Sequence, residues 1–289
     1  MSMISSLDIY SEHFGLTERP FSLVPDPSFL YWSKQHRSAY TMLEYGLMTR
    51  APITMITGEV GAGKTTLLLH LLQMLDDQVQ VGMISNAHSS DRSELIRWIM
   101  QSLSQEMSRD ASFVEMFKQF QDYLVDEYAK GRRVILVFDE AQNLNRETLE
   151  ELRMLTNINS NKDVLLQLVL VGQPELRDIV RNPDLVQFSQ RIAASFHIPA
   201  MDGDTVRSYI EHRLRVAGAK TMFFEDDACQ LIYEVTGGVP RLVNQLCDLA
   251  MVYGFSEGGP PITLSVVRQI LSDGAFFGVG ALVLRNKIN

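Results

Sequence analysis

The sequence predicts an α/β fold, a parallel sheet flanked by helices, followed by a small all-helical lid. Three observations carry this. Residues 52–66 read PITMITGEVGAGKTT and continue as LLLHLLQML, which is a short apolar strand, a glycine-rich turn and then a helical pattern. Two more apolar runs, VILVF at 134–138 and VLLQLVLV at 164–171, lack the alternation of a half-solvated strand, so they suit strands covered on both faces. Beyond about Pro199 come helical patterns at 204–217, 225–236, 240–255 and 263–274, with no further strand pattern between them.

A chain of 289 residues is long enough for a full domain with a smaller appendage. The expected division is a lead-in and first helix at 1–50 belonging to the first domain, its α/β core at 51–200, the lid at 201–275 and a short tail at 276–289. The net charge of −9 and a pI near 5.2 exclude binding of polyanions by overall field alone. Cys229 and Cys247 lack the spacing of a metal or redox pair and read as buried thiols in a reducing cytoplasm. The six histidines are scattered without ligand spacing. The N-terminus has no signal-peptide pattern, and the most apolar stretch, 275–284, is too short and glycine-broken to span a membrane. A cytoplasmic protein is expected, with a tail that could dock peripherally on the inner membrane or on a partner.

The elements follow in order. The lead-in, 9–31, is aromatic and proline-rich without periodicity. Three readings stay open for it: a wall for an adenine ring involving Phe14 and Phe21, an arm on a neighbouring subunit, or aromatic filler. Apolar residues at helical spacing (Ala39, Met42, Leu43, Leu47) predict a helix over 34–49. The turn at 58–66, Gly58, Glu59, Val60, Gly61, Ala62, Gly63, Lys64, Thr65 and Thr66, is a P-loop in its strand–loop–helix context. Polyphosphate is bound mainly by backbone N–H groups, so the loop must curl with its amides inward, which glycine permits. The following helix adds the positive end of its dipole. Lys64 is placed for the β- and γ-phosphates of ATP, and Thr65 for Mg²⁺.

A second strand is expected at 79–85, a polar turn at 86–91, and amphipathic helices at 93–107 and 113–128. The strand at 134–138 ends in Asp139-Glu140, a Walker B arrangement in which Asp139 holds Mg²⁺ and Glu140 deprotonates the attacking water. After a helix at 146–157, the strand at 164–171 ends in Gly172-Gln173-Pro174. A strand placed between P-loop and Walker B typifies additional-strand ATPases, and Gln173 is the candidate sensor of the γ-phosphate. Arg191, just before the strand pattern AASFHIPA, is the preferred arginine finger acting on a neighbouring subunit, with Arg177 and Arg181 in reserve. In the lid, Gly237 to Arg241 reads GGVPR, a glycine helix stop followed by a proline start. That sets Arg241 in the first turn of a helix, able to report nucleotide state as sensor 2.

The ordered set GEVGAGKTT, VILVFDEAQ, VLVGQPEL, QRI and GGVPR resembles an AAA+ ATPase. With the lead-in HFGLTERPF…PDPSFLY, together with DEAQNL and GQPEL, it resembles more narrowly the ExeA/GspA-type general-secretion ATPases, over roughly residues 9–272. The resemblance implies ATP hydrolysis by a nucleotide-dependent oligomer that assembles or remodels an envelope secretion, pilus or exopolysaccharide export system, with the adenine pocket partly made by the 14–21 region. Larger members continue into a membrane span and a periplasmic part. Two other readings compete. A DNA-linked regulator of the MuB/TnsC transposition type would need a basic strip, for which Arg92, Arg97, Lys118, Arg132 and Arg133 are the candidates. A nucleotide-dependent scaffold would barely hydrolyse ATP.

Overall fold

The computed structural model of the chain describes residues 10–85, 92–108, 110–160, 163–259 and 261–278. The polar turn at 86–91 and the tail beyond 278 lie outside these residues. The described chain forms two compact units, one of residues 34–58 and 67–198, the other of residues 10–33, 59–66 and 199–278.

The first unit is built on strands β1 (Ile53–Gly58), β2 (Val79–Ser85), β3 (Arg133–Asp139), β6 (Leu166–Gly172) and β7 (Ile192–Ile198). They form a parallel sheet in the order β2-β3-β6-β1-β7. A two-residue hairpin, β4 (Asn159–Ser160) with β5 (Asp163–Val164), stands apart from it. Every residue of the central strands β1 and β6 is buried, as is all of β3 except Arg133 at its start. That is why these segments read as unbroken apolar runs.

Around the sheet lie α1 (Lys34–Met48), α2 (Lys64–Gln73, its first residues belonging to the other unit), α3 (Arg92–Ser102), α4 (Phe113–Ala129), α5 (Arg146–Leu155), α6 (Glu175–Val180) and α7 (Val186–Ser189). Ile99, Met116, Phe120 and Leu149 from three of these helices share one core with Leu136, Phe138 and Leu168 of the sheet. Ser112 and Glu115 cap α4 reciprocally, and Asn145 Oδ1 accepts from Thr148 N to start α5. Helix α3 stops at Ser102, five residues short of the end that its apolar spacing predicts. Ser104 adopts φ 57° and Gln105 N donates to Met100 O, a left-handed cap that reverses the chain.

The second unit packs α8 (Gly203–Val216), α9 (Asp226–Thr236), α10 (Pro240–Ser256) and α11 (Leu264–Ser272) around one apolar core. The lead-in divides at Ser33. Helix α1 goes with the sheet, whereas residues 10–33 go with the helices. The reason is apolar burial: Tyr10, Phe14, Phe21 and Phe29 all enter the helical core. Buried Arg213 fastens the segment, with Nε donating to Pro20 O at 2.5 Å and the guanidinium 4.4 Å from the Phe29 ring centroid. Asn244 Nδ2 donates to Ser22 O, Tyr10 hydroxyl donates to Asp248, and Arg19 pairs with the same carboxylate at 2.6 Å.

Candidate functional site

The glycine loop is shaped by positive φ at Gly61 (79°) and Gly63 (88°), a region that side chains rarely tolerate. Ala62 N donates to Glu59 O at 3.0 Å, closing the curl. Lys64 begins α2, is 6% exposed, and turns Nζ back to donate to Glu59 O at 3.0 Å. Its ammonium is thus held against the loop itself. Arg241 sits in the first turn of α10, directly after Pro240, where the chain meets the loop: Arg241 N donates to Gly61 O at 3.3 Å. A Cβ built on Gly61 would lie 2.3 Å from Arg241 Cβ, so glycine is required there by the close approach as well as by φ. The Arg241 side chain is exposed.

In the sheet unit the chemistry gathers at the carboxyl ends of β3 and β6. Asp139 closes β3, is 9% exposed, and accepts from Glu140 N at 2.9 Å through Oδ1. Glu140 holds a left-handed backbone, φ 54° and ψ 39°. For a residue with a Cβ that conformation costs about 1–2 kcal/mol, and strain of this kind gathers at working sites. Its Oε2 accepts from Gln173 Nε2 at 3.1 Å and from Gln142 Nε2 at 2.5 Å. Gln142 Oε1 in turn accepts from Gln173 N at 2.9 Å. Sequence reasoning had Glu140 and Gln173 but passed over Gln142. The available signal was its place two residues beyond the acid, inside the first turn after β3.

The other candidates have these surroundings. Arg191 is tied to the end of α5, donating to Thr156 Oγ1 at 3.2 Å and also to Asn157 Oδ1. Arg177 is partly buried and Arg181 exposed. Phe14 packs against Phe223, with centroids 5.3 Å apart, and Phe21 lies edge-on to Phe224 at 5.8 Å. At 7% and 1% exposed, these two rings serve the helical core, with little face left for a base. Most of the arginines considered for a basic strip are engaged locally. Arg132 pairs with buried Glu127, Arg92 with Glu151 at 2.7 Å, Arg97 donates to Ser108 O at 2.9 Å, and Arg133 to Leu47 O at 3.2 Å. Glu127 is held below the usual carboxylate range, chiefly by the Arg132 hydrogen bond. Among the described residues, no helix is long and apolar enough to cross a membrane.

Residues 47–180 match the model of the AAA domain family. General secretion pathway protein A of Aeromonas hydrophila is 39% identical over 254 residues. That alignment covers 88% of this chain and 46% of the relative, so the chain spans about half the length of the curated protein it matches. Two archaeal structures share the fold at 20% identity. The ORC2 protein of Aeropyrum pernix, solved in ADPNP–ADP complexes, has a TM-score of 0.67, with 88% of this chain and 71% of that one covered. Cdc6p from Pyrobaculum aerophilum gives 0.68, with 86% and 71% covered. The strand β6 lying between β1 and β3, the glycine loop and the acidic strand end agree with these matches: the chain carries an AAA domain and, over most of its length, is similar to general secretion pathway protein A.

Proposed function

We propose that the chain binds and hydrolyses ATP as a nucleotide-dependent oligomer, and that the cycle drives assembly or remodelling of an envelope secretion or export system. It would work from the cytoplasmic side, peripheral to the inner membrane. The observation that supports hydrolysis over a passive scaffold is the Glu140 carboxylate, set on a strained turn and gripped by two amides beside the end of β3. A general base needs this kind of fixed orientation toward its water. The secretion role rests on the likeness to general secretion pathway protein A.

Roles follow from chemistry. The curled loop from Gly58 to Thr66 offers backbone amides to the phosphates, and Lys64 exchanges its carbonyl partner for the β- and γ-phosphate oxygens. Thr65 hydroxyl and Asp139 carboxylate are hard oxygen donors of the kind Mg²⁺ takes. When bound, that ion neutralises charge on the phosphate oxygens. Glu140 orients and deprotonates the water, Gln173 senses the γ-phosphate, Arg241 senses nucleotide from α10, and Arg191 reaches a neighbouring subunit's nucleotide.

The test combines binding, turnover and size. Lys64→Ala should weaken fluorescent-ATP binding by about 100-fold or more, equivalent to about 2.7 kcal/mol. Glu140→Gln should bind normally, lose turnover by about 10²–10⁴-fold, and hold the oligomer that a non-hydrolysable analogue produces in the parent. Unchanged turnover in Glu140→Gln would return the scaffold reading. Affinity capture that yields only transposition or recombination proteins, with salt-sensitive DNA binding, would replace the secretion reading.

A further inference from the structure

Gln142 has a place in the site that neither the motif nor the matches assign. Its side-chain amide is fixed at both ends. Oε1 accepts from the backbone N–H of Gln173 at 2.9 Å, and Nε2 donates to Glu140 Oε2 at 2.5 Å. The first bond determines the orientation, because a backbone N–H requires the oxygen, which leaves the nitrogen to face the carboxylate. Packing fixes it again. A Cβ on Gly172 would lie 2.9 Å from Gln142 Oε1 and 2.9 Å from Leu176 Cδ2, so the end of β6 is pared to glycine where this amide passes. Gln142 is therefore bonded both to the Glu140 carboxylate and to the backbone of Gln173, whose side-chain amide also donates to Glu140.

We propose that Gln142 is a positioning residue for hydrolysis, coupling the exit of β6 to the aim of the Glu140 carboxylate. It does not touch the substrate. It fixes the direction of the Glu140 carboxylate, since both glutamine donors converge on Oε2. A shift of Gln173 when its amide meets a phosphate is then transmitted to the base through the Gln142 bridge as well as through the direct bond. This rests on the hydrolytic reading given above.

The experiment measures ATP turnover of the full chain at saturating and limiting ATP, with nucleotide binding followed in parallel. Gln142→Ala should lower kcat by about tenfold while KM and nucleotide affinity stay within about threefold of the parent's, because the glycine loop is untouched. Gln142→Glu keeps an acceptor for Gln173 N but replaces the amide donor to Glu140 with a second acceptor, so kcat should fall about as far as in Gln142→Ala, with KM and nucleotide affinity again near the parent's. A merely structural role, served by the bond to Gln173 N and the packing against Gly172, would leave the kcat of Gln142→Glu near the parent's.

A kcat within twofold of the parent for either variant overturns the inference. If Gln142→Ala does not fold, as absent nucleotide binding would show, the kcat of Gln142→Glu at unchanged nucleotide affinity decides alone. Turnover in the parent that ignores Glu140→Gln would instead overturn the hydrolytic reading, and this inference with it.

Discussion

Gly61 shows how a single missing methyl can be dictated twice. Its φ of 79° lies where L side chains are strained, and the space a Cβ would take is held by Arg241. In Gly61→Ala the loop must either leave its curl or push the start of α10 away. The conformational cost alone is about 1–2 kcal/mol, and the misplaced amides no longer converge on phosphate. The expected result is a melting temperature lowered by several degrees and nucleotide affinity reduced about tenfold or more, read by thermal melts and fluorescent-ATP titration. Lys64, Thr65, Asp139 and Glu140 could be proposed from the sequence because the spacing of such residues follows from the chemistry of binding a metal-bound triphosphate. Gln142 could not, because a side-chain hydrogen bond to the backbone of another strand's exit has no signature in a single stretch of sequence.

Among the elements, the buried strands were the most legible, and the segments whose partners lie far along the chain were the least. Strands β1, β3 and β6 announce themselves because burial on both faces demands unbroken apolar runs. Helix α3 overran in the sequence reading because apolar spacing continues past Ser102, while the left-handed cap at Ser104 stops it. Helix α5 bears on the finger assignment. Its end holds Arg191 through Thr156 and Asn157, so the guanidinium is presented at a defined position beside that helix rather than left free. If it completes a neighbour's site, mixing inactive Arg191→Ala with inactive Glu140→Gln subunits should restore part of the turnover, since some sites then pair an intact base with an intact finger. No recovery in a mixing titration would assign Arg191 to its own subunit or to support of α5.

At the scale of the whole molecule, a parallel sheet with one strand between the glycine-loop strand and the acidic strand was foreseen, whereas the allegiance of the lead-in was not. Aromatic residues without periodicity say that they will be buried but not against what, and here the answer lies in helices about two hundred positions later. The helical unit also carries a pH dependence. His212 lies in α8 with its ring centroid 5.4 Å from that of Tyr31. Burial, reinforced by Arg215 and Arg213, pushes its pKa below the ordinary 6.5. The unfolded chain therefore takes up the proton first, so stability is full above pH 6.5 and falls as the pH drops below it. Thermal melts should show a lower transition at pH 5.5 than at pH 7.5, and His212→Gln should narrow that difference. An unaltered difference would place the proton uptake elsewhere.

The stitching of residues 10–33 into the terminal helices also bears on synthesis. Tyr10 meets Asp248, 238 positions downstream. A nascent chain can complete its sheet before α8 to α11 have been made, but the aromatic residues of 10–33 must wait, solvent-exposed, until α10 follows. During that interval the unsheltered rings offer a chaperone its handle.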